Sequence, residues 1–188
     1  MKERLLSTNA VDPMIKLFGR YNQTEDGLIV FDAPGFIIQF SVFRTSQILV
    51  HLSSVGNMSN VFWVYLDDLL YKNVTVSPNS SDQNITISNL DKSSHIIRIL
   101  KITEADYNQP YPQSNYITLE SIEIDSGKFV ETPKSSDRRI EFIGDSLTAG
   151  FCSICPENNN SSYASEAYAY SWAYLTSANL TSEYHTTG

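Results

Sequence analysis

Residues 125–137 read DSGKFVETPKSSD, and the fold turns on how this stretch is taken. It is rich in Asp, Ser, Gly, Pro and Lys, the residues of turns and exposed connections. Before it, apolar residues recur with a period near two. After it, the period shifts towards 3.6. A polar stretch between two such patterns marks a linker between domains. It divides the chain into a sandwich over residues 12–124, the linker at 125–137, and a second piece over 138–188.

Upstream the chain reads as strands: GLIVF (27–31), GFIIQFSVF (35–43), QILVHL (47–52), VFWVYL (61–66), KNVTV (72–76), NITI (84–87), HIIRILKI (95–102) and YITLESIEI (116–124). They are rich in β-branched and aromatic residues, and turn residues such as Ala33-Pro34-Gly35, Asp67-Asp68 and Pro78-Asn79-Ser80 separate them. About eight strands at spacings near ten residues predict an antiparallel sandwich. Ile38, Phe40 and Val42 share one face, and Gln39 and Ser41 the other. The apolar phase flips between Ile117 and Leu119 on one side and Ile122 and Ile124 on the other. A β-bulge produces such a flip.

Downstream, RRIEFIGDSLTAGF (138–151) carries an apolar strand that ends in Gly-Asp-Ser. SEAYAYSWAYLTSANL (165–180) places Ala167, Tyr170, Tyr174 and Ala178 at helical spacing, and Glu166 suits a helix start. SEYHTT (182–187) reads as a second strand. Strand, helix, strand is the opening βαβ unit of a parallel α/β domain. One such unit cannot bury both faces of its sheet, so the second domain is expected to be incomplete here.

Composition narrows the function. The chain has 188 residues, a formal net charge of −8 and 41% hydrophobic residues. It can bury a core, and its charge disfavours nucleic acid and anionic membranes as partners. No apolar run approaches the roughly 20 residues of a spanning helix, and the start MKERLLSTNAVDP has no apolar leader stretch. Asn-x-Ser/Thr acceptor sites begin at Asn22, Asn57, Asn73, Asn79, Asn84, Asn159, Asn160 and Asn179. They read either as a secreted glycoprotein or as an Asn/Ser-rich composition. Cys152-Ser-Ile-Cys155 is compatible with a loop thiol pair, a local disulfide or pairing beyond residue 188. No second cysteine pair exists to complete a zinc site, and no ligand cluster implies a metal or cofactor.

Ser146 stands where a buried parallel strand ends and a helix begins. Open α/β sheets bind ligands at the carboxyl ends of their strands, and a serine there can attack a carbonyl while its own N–H holds the oxyanion. The same position suits an ordinary helix N-cap, a role open to Asp145 or Ser146. Gly144 would let the chain turn tightly.

IGDSLTAG (143–150) resembles the first sequence block of the GDSL, or SGNH, hydrolases. GRY (19–21), FDAPGFIIQF (31–40), VFWVYLDD (61–68) and HIIRILKITEA (95–105) are similar to the N-terminal jelly-roll domain of carbohydrate esterase family 2. That family removes O-acetyl groups from polysaccharides such as xylan. The resemblance implies a jelly-roll sandwich followed by the first strand-helix-strand unit of a flavodoxin-like SGNH domain, acting on acetylated polysaccharide. It implies that Ser146 is the nucleophile and supplies an oxyanion N–H, that Gly188 supplies another, and that Gly144 and Asp145 shape the motif. The family's Asn and His blocks have no counterpart, so the base is expected beyond Gly188 and the chain alone is expected to be inactive. His51, His95 and His185 read as structural. Two rival readings are a carbohydrate-binding module with Trp63, Tyr65, Tyr107 or Tyr111 stacking on sugars, and an esterase of lipids or acyl thioesters.

Overall fold

The computed structural model describes residues 6–10, 12–104, 116–134, 136–155 and 165–187. Twelve strands come first: β1 (Leu6–Asn9), β2 (Lys16–Phe18), β3 (Asn22–Gln23), β4 (Ile29–Phe31), β5 (Ile37–Phe43), β6 (Gln47–Val55), β7 (Asn60–Leu66), β8 (Leu69–Val76), β9 (Gln83–Ser88), β10 (Ser94–Lys101), β11 (Tyr116–Ile124) and β12 (Lys128–Val130). They form two antiparallel six-stranded sheets. The first has the order β3-β4-β11-β6-β9 with β1 also on β11; the second has β12-β5-β10-β7-β8 with β2 also on β5. The expected jelly-roll sandwich is therefore present.

Alternation in the sequence dictates which side chains face inward. Ile38, Phe40 and Val42 of β5, Ile48, Val50 and Leu52 of β6, and Ile97 and Ile99 of β10 are fully buried between the sheets. Each such side chain contributes on the order of 1.5–3 kcal/mol when removed from water. The phase flip in β11 is a register shift against β6 between Leu119 and Ser121. It keeps Ile117, Leu119, Ile122 and Ile124 all inward.

The boundaries differ from the sequence expectation. β1 lies ahead of residue 12 and pairs with β11. β12 lies inside the stretch read as linker and pairs with β5, Lys128 opposite Phe43. Gly127 explains the entry into β12. It adopts φ +76°, and a Cβ there would run into the backbone of Phe43 and Arg44.

The second unit consists of β13 (Arg139–Ile143), α1 (Ser146–Ala149), α2 (Trp172–Asn179) and β14 (Glu183–Thr187). β13 and β14 pair in parallel, Arg139 opposite Glu183 and Ile143 opposite Thr187. The helix expected from about Ser165 is shorter. Ser171 accepts a hydrogen bond from the Tyr174 N–H at 3.2 Å and so starts α2 at Trp172. Tyr168–Tyr170 form a separate 3₁₀ turn. Glu166 is buried just ahead of that turn and lies outside the first turn of α2.

A second core joins the two units. The outer face of β5 and β10 (Ile37, Leu100) and Ile102 pack against Phe142, Ala167, Tyr168, Ala173 and Tyr184, with Trp63, Tyr65 and Tyr174 at its margin. Tyr168, Tyr174 and Tyr184 contact one another at centroid distances of 5.7–6.2 Å. Backbone bonds run across the seam, Tyr168 N–H to Ile102 C=O at 3.1 Å.

Candidate active site

Ser146 follows the carboxyl end of β13 directly. The Gly144 N–H donates to the Thr187 carbonyl of β14 at 2.8 Å, which holds the start of the turn against the sheet. Asp145 has extended backbone angles and its Oδ1 accepts the Leu147 N–H at 3.0 Å. Asp145 is therefore the N-cap, and Ser146 opens the helix with its side chain not needed for capping. The Asp145 carbonyl takes the Thr148 and Ala149 N–H groups at 2.9 and 3.2 Å, and the Ser146 carbonyl takes Phe151 N–H at 2.8 Å. Ser146 is solvent-exposed.

Gly144 has a different reason to be glycine from the one expected. Its φ is not positive; instead a Cβ would overlap the hydroxyl of Thr148. The buried Thr148 thus packs beneath the turn that presents Ser146, a pairing with no local signal in the sequence. Gly150 closes the helix at φ +92°. A Cβ there would lie 2.8 Å from the Ala167 carbonyl oxygen.

The loop after α1 is held from two sides. Cys152 and Cys155 form a disulfide, one of the three arrangements that their spacing allows. Ser153 Oγ donates to the Ala167 carbonyl and accepts the Ala167 N–H, each at 3.0 Å. Next to Ala167 lies a charged cluster that alternation in the sequence conceals. Lys101 is fully buried, with Nζ donating to the Thr103 and Glu104 carbonyls at 2.6 and 3.2 Å. Burial pulls this ammonium down to about 7, against the pull of Asp32, Glu166 and Glu104. Glu166 accepts the Glu104 N–H at 3.3 Å. Burial, and after it the Glu104 carboxyl, push Glu166 up to about 8.

The three histidines stand apart from Ser146. His51 pairs with Glu123 at 3.4 Å in the first sheet. His95 is buried between Asp67 at 2.7 Å and Asp91 at 3.0 Å, a bridge between two turns of the sandwich. His185 lies mid-strand on β14, opposite Glu141 of β13, and is exposed. Trp63 and Tyr65 belong to the second core, Trp63 edge-on to Tyr170 at 5.5 Å. Gly188, Tyr107, Tyr111, Asn159 and Asn160 lie outside the described residues. Among the described residues no group of three or more His, Cys, Asp and Glu is arranged to hold a metal ion. None of the described helices is long and apolar enough to cross a membrane.

The assembly of a sandwich and a parallel unit recurs in solved structures. A family two carbohydrate esterase from Cellvibrio japonicus superposes with a TM-score of 0.81 at 20% identity, over 97% of this chain and 52% of that one. A family two carbohydrate esterase from Clostridium thermocellum, solved with cellohexaose, gives 0.77 at 22% identity over 92% and 50%. An acetyl xylan esterase from the rumen bacterium Butyrivibrio proteoclasticus gives 0.83 at 17% over 97% and 48%. The chain spans about half the length of these relatives. No curated protein sequence matches it. Residues 17–133 match the family described as carbohydrate esterase 2 N-terminal. The chain belongs to that family.

Proposed function

We propose that the protein is a carbohydrate esterase of the SGNH type that removes O-acetyl groups from a polysaccharide such as acetylated xylan, with Ser146 as its nucleophile. One observation carries the reading. An exposed serine stands at the carboxyl end of a parallel strand, and the neighbouring Asp145 performs the capping that would otherwise occupy it. Family membership supports the carbohydrate class.

In this mechanism Ser146 Oγ attacks the acetyl carbonyl and passes its proton to a histidine. The sugar alcohol departs, and water then releases acetate. The Ser146 N–H and the Gly188 N–H hold the oxyanion; each such donor is typically worth about 3–4 kcal/mol in the transition state. His51 and His95 are committed to carboxylates of the sandwich, and His185 lies mid-strand on β14 opposite Glu141, not at the strand end beside Ser146. The base is therefore taken from outside these 188 residues, and these residues alone are inactive. A neutral glycan meets no repulsion from the net charge of −8. The six described acceptor asparagines, Asn22, Asn57, Asn73, Asn79, Asn84 and Asn179, are all exposed, which supports an extracellular glycoprotein.

The test is acetate release from acetylated xylan by the full-length protein and its Ser146→Ala variant. The variant is expected to lose several orders of magnitude in rate. Equal rates would remove Ser146 from the mechanism. Glycan binding with no acetate released by either protein would favour a binding module.

A further inference from the structure

The end of the second unit remote from Ser146 carries a cleft of about 280 Å³ between the outer face of the second sheet and the α2–β14 connection. Phe18, Tyr174 and Tyr184 give it aromatic walls, and Gln39, Arg98 and Glu183 give it polar ones. We propose that this cleft holds one pyranose ring of a neutral polysaccharide, as an anchoring site separate from the place where Ser146 stands.

Size and chemistry both point to a sugar ring. The volume lies near the lower end of small-molecule sites, roughly 300–1,000 Å³. Aromatic walls with a few converging polar groups suit a ring that has apolar faces and a hydroxyl edge. The charges around the cleft are already matched. Arg98 stacks over the Tyr65 ring at 4.7 Å and meets Asp68 at 3.4 Å, Glu183 meets Arg139 at 3.2 Å, and Lys134 is paired with Asp137. A charged ligand would find no unmatched counter-charge, whereas hydroxyls would find open hydrogen-bonding capacity. Arg98 Nε, buried in a side chain that lines the cleft, has no hydrogen-bond partner among the described residues. Buried polar atoms of this kind call for a partner.

Position separates this cleft from the reaction. Glu183 and Tyr184 begin β14, and Thr187, which holds Gly144, ends it. Four residues of strand at about 3.3 Å each place the two levels roughly 13 Å apart. An anchor at that distance retains a glycan chain without touching the scissile ester.

The inference shares with the proposed function only the polysaccharide class, and its test is independent of Ser146. The probe is unacetylated xylohexaose added to the full-length protein, followed by calorimetry and hydrogen exchange. Binding should protect residues 174–184. Ala178→Trp fills the cleft from an exposed position and should weaken binding about 10-fold or more at unchanged Tm; if its Tm falls, Arg98→Met is read in the same way. Ser146→Ala should bind like the parent. Undiminished binding in the cleft variant, protection confined to residues 144–150, or no binding of xylohexaose would each overturn the proposal. Preference for an acidic over the neutral oligosaccharide would overturn its ligand class. Persistent acetate release by Ser146→Ala would refute the esterase mechanism and leave the cleft result standing.

Discussion

Gly35→Ala probes the seam between the sandwich and the parallel unit. Gly35 has φ +76°, and a Cβ there would sit 2.5 Å from Cε1 and Cζ of Tyr168. That ring cannot retreat. Tyr168 is fully buried, its hydroxyl is bonded to Thr186 Oγ1 at 2.5 Å, and Tyr174 and Tyr184 flank it. The Gly35 N–H is itself tied to the Lys101 carbonyl at 2.9 Å, so the backbone is held as well. Forcing an L-residue into the left-handed region costs about 1–2 kcal/mol, and overpacking a filled core adds about 1–3 kcal/mol. The expected destabilisation is therefore about 2–5 kcal/mol. Urea unfolding followed by far- and near-ultraviolet circular dichroism measures it, with Tyr168→Ala and the double variant completing a cycle. Tyr168→Ala alone should cost about 3–5 kcal/mol, and the double variant should cost less than the sum by about 1–3 kcal/mol, because the clash has gone. A shift below about 0.5 kcal/mol for Gly35→Ala, or strict additivity, would show that the two units do not bear on each other through this contact.

Two further changes test charged groups. Asp125 accepts from Thr45 Oγ1 at 2.6 Å, from Ser46 N–H at 2.9 Å, from Gln47 N–H at 3.0 Å and from Ser46 Oγ. Burial opposes its charge, but these donors outweigh burial and hold the carboxyl well below the usual range. Asp125→Asn should cost about 1.5–3 kcal/mol near neutrality. A depressed carboxylate contributes stability above its unfolded pKa and loses it as pH falls through the folded one. The gap to the parent in urea midpoints should thus hold from pH 8 to 5 and shrink below about pH 4; a gap independent of pH would refute the assignment. Glu166 is the opposite case. Its folded pKa is raised from 4.5 to about 8, so the folded state keeps a proton that the unfolded state releases, and stability falls as pH rises through that window. Lys101, lowered from 10.5 to about 7, changes its contribution mainly above that window's centre. Between pH 5 and 6.5, Tm of the parent should fall while Glu166→Gln stays flat; parallel curves for the two proteins would sink the idea.

The legibility of this chain in its sequence follows the range of the forces involved. Strands β5, β6, β10 and β11 are readable because each buries an alternating apolar face, and the bulge in β11 is readable because a misplaced phase would turn Ile122 and Ile124 to solvent. β1 and β12 are not readable. They are short, and what orders them is hydrogen bonding to β11 and β5, more than 80 residues distant for β12. The position of Ser146 at a strand end is legible from IEFIGDSL alone. The Gly144–Thr148 packing and the buried Lys101 are not, because a lysine near the end of HIIRILKI looks like any solvated charge until Thr103 and Glu104 of its own sandwich, and Glu166 of the other unit, cover it.

That covering is the step that links fold to site. An antiparallel sheet commonly leaves one face to water, but here the outer face of the second sheet carries Ile37, Leu100 and, at its margin, Trp63 and Tyr65. Those side chains would form an exposed apolar patch without the parallel unit. β13 and β14 need cover equally: Phe142 meets Trp172 edge-on, Tyr184 meets Tyr168 and Tyr174, and these rings close into one core with Ile37, Leu100 and Ile102 of the sandwich. Each unit therefore supplies the burial that the other lacks. The turn that presents Ser146 is fixed through Gly150, Ala167 and the Tyr168–Ile102 bond to the same seam. The sandwich thus positions the serine by holding its support in place, and a change such as Gly35→Ala should act on the site through packing, not through contact with a bound glycan.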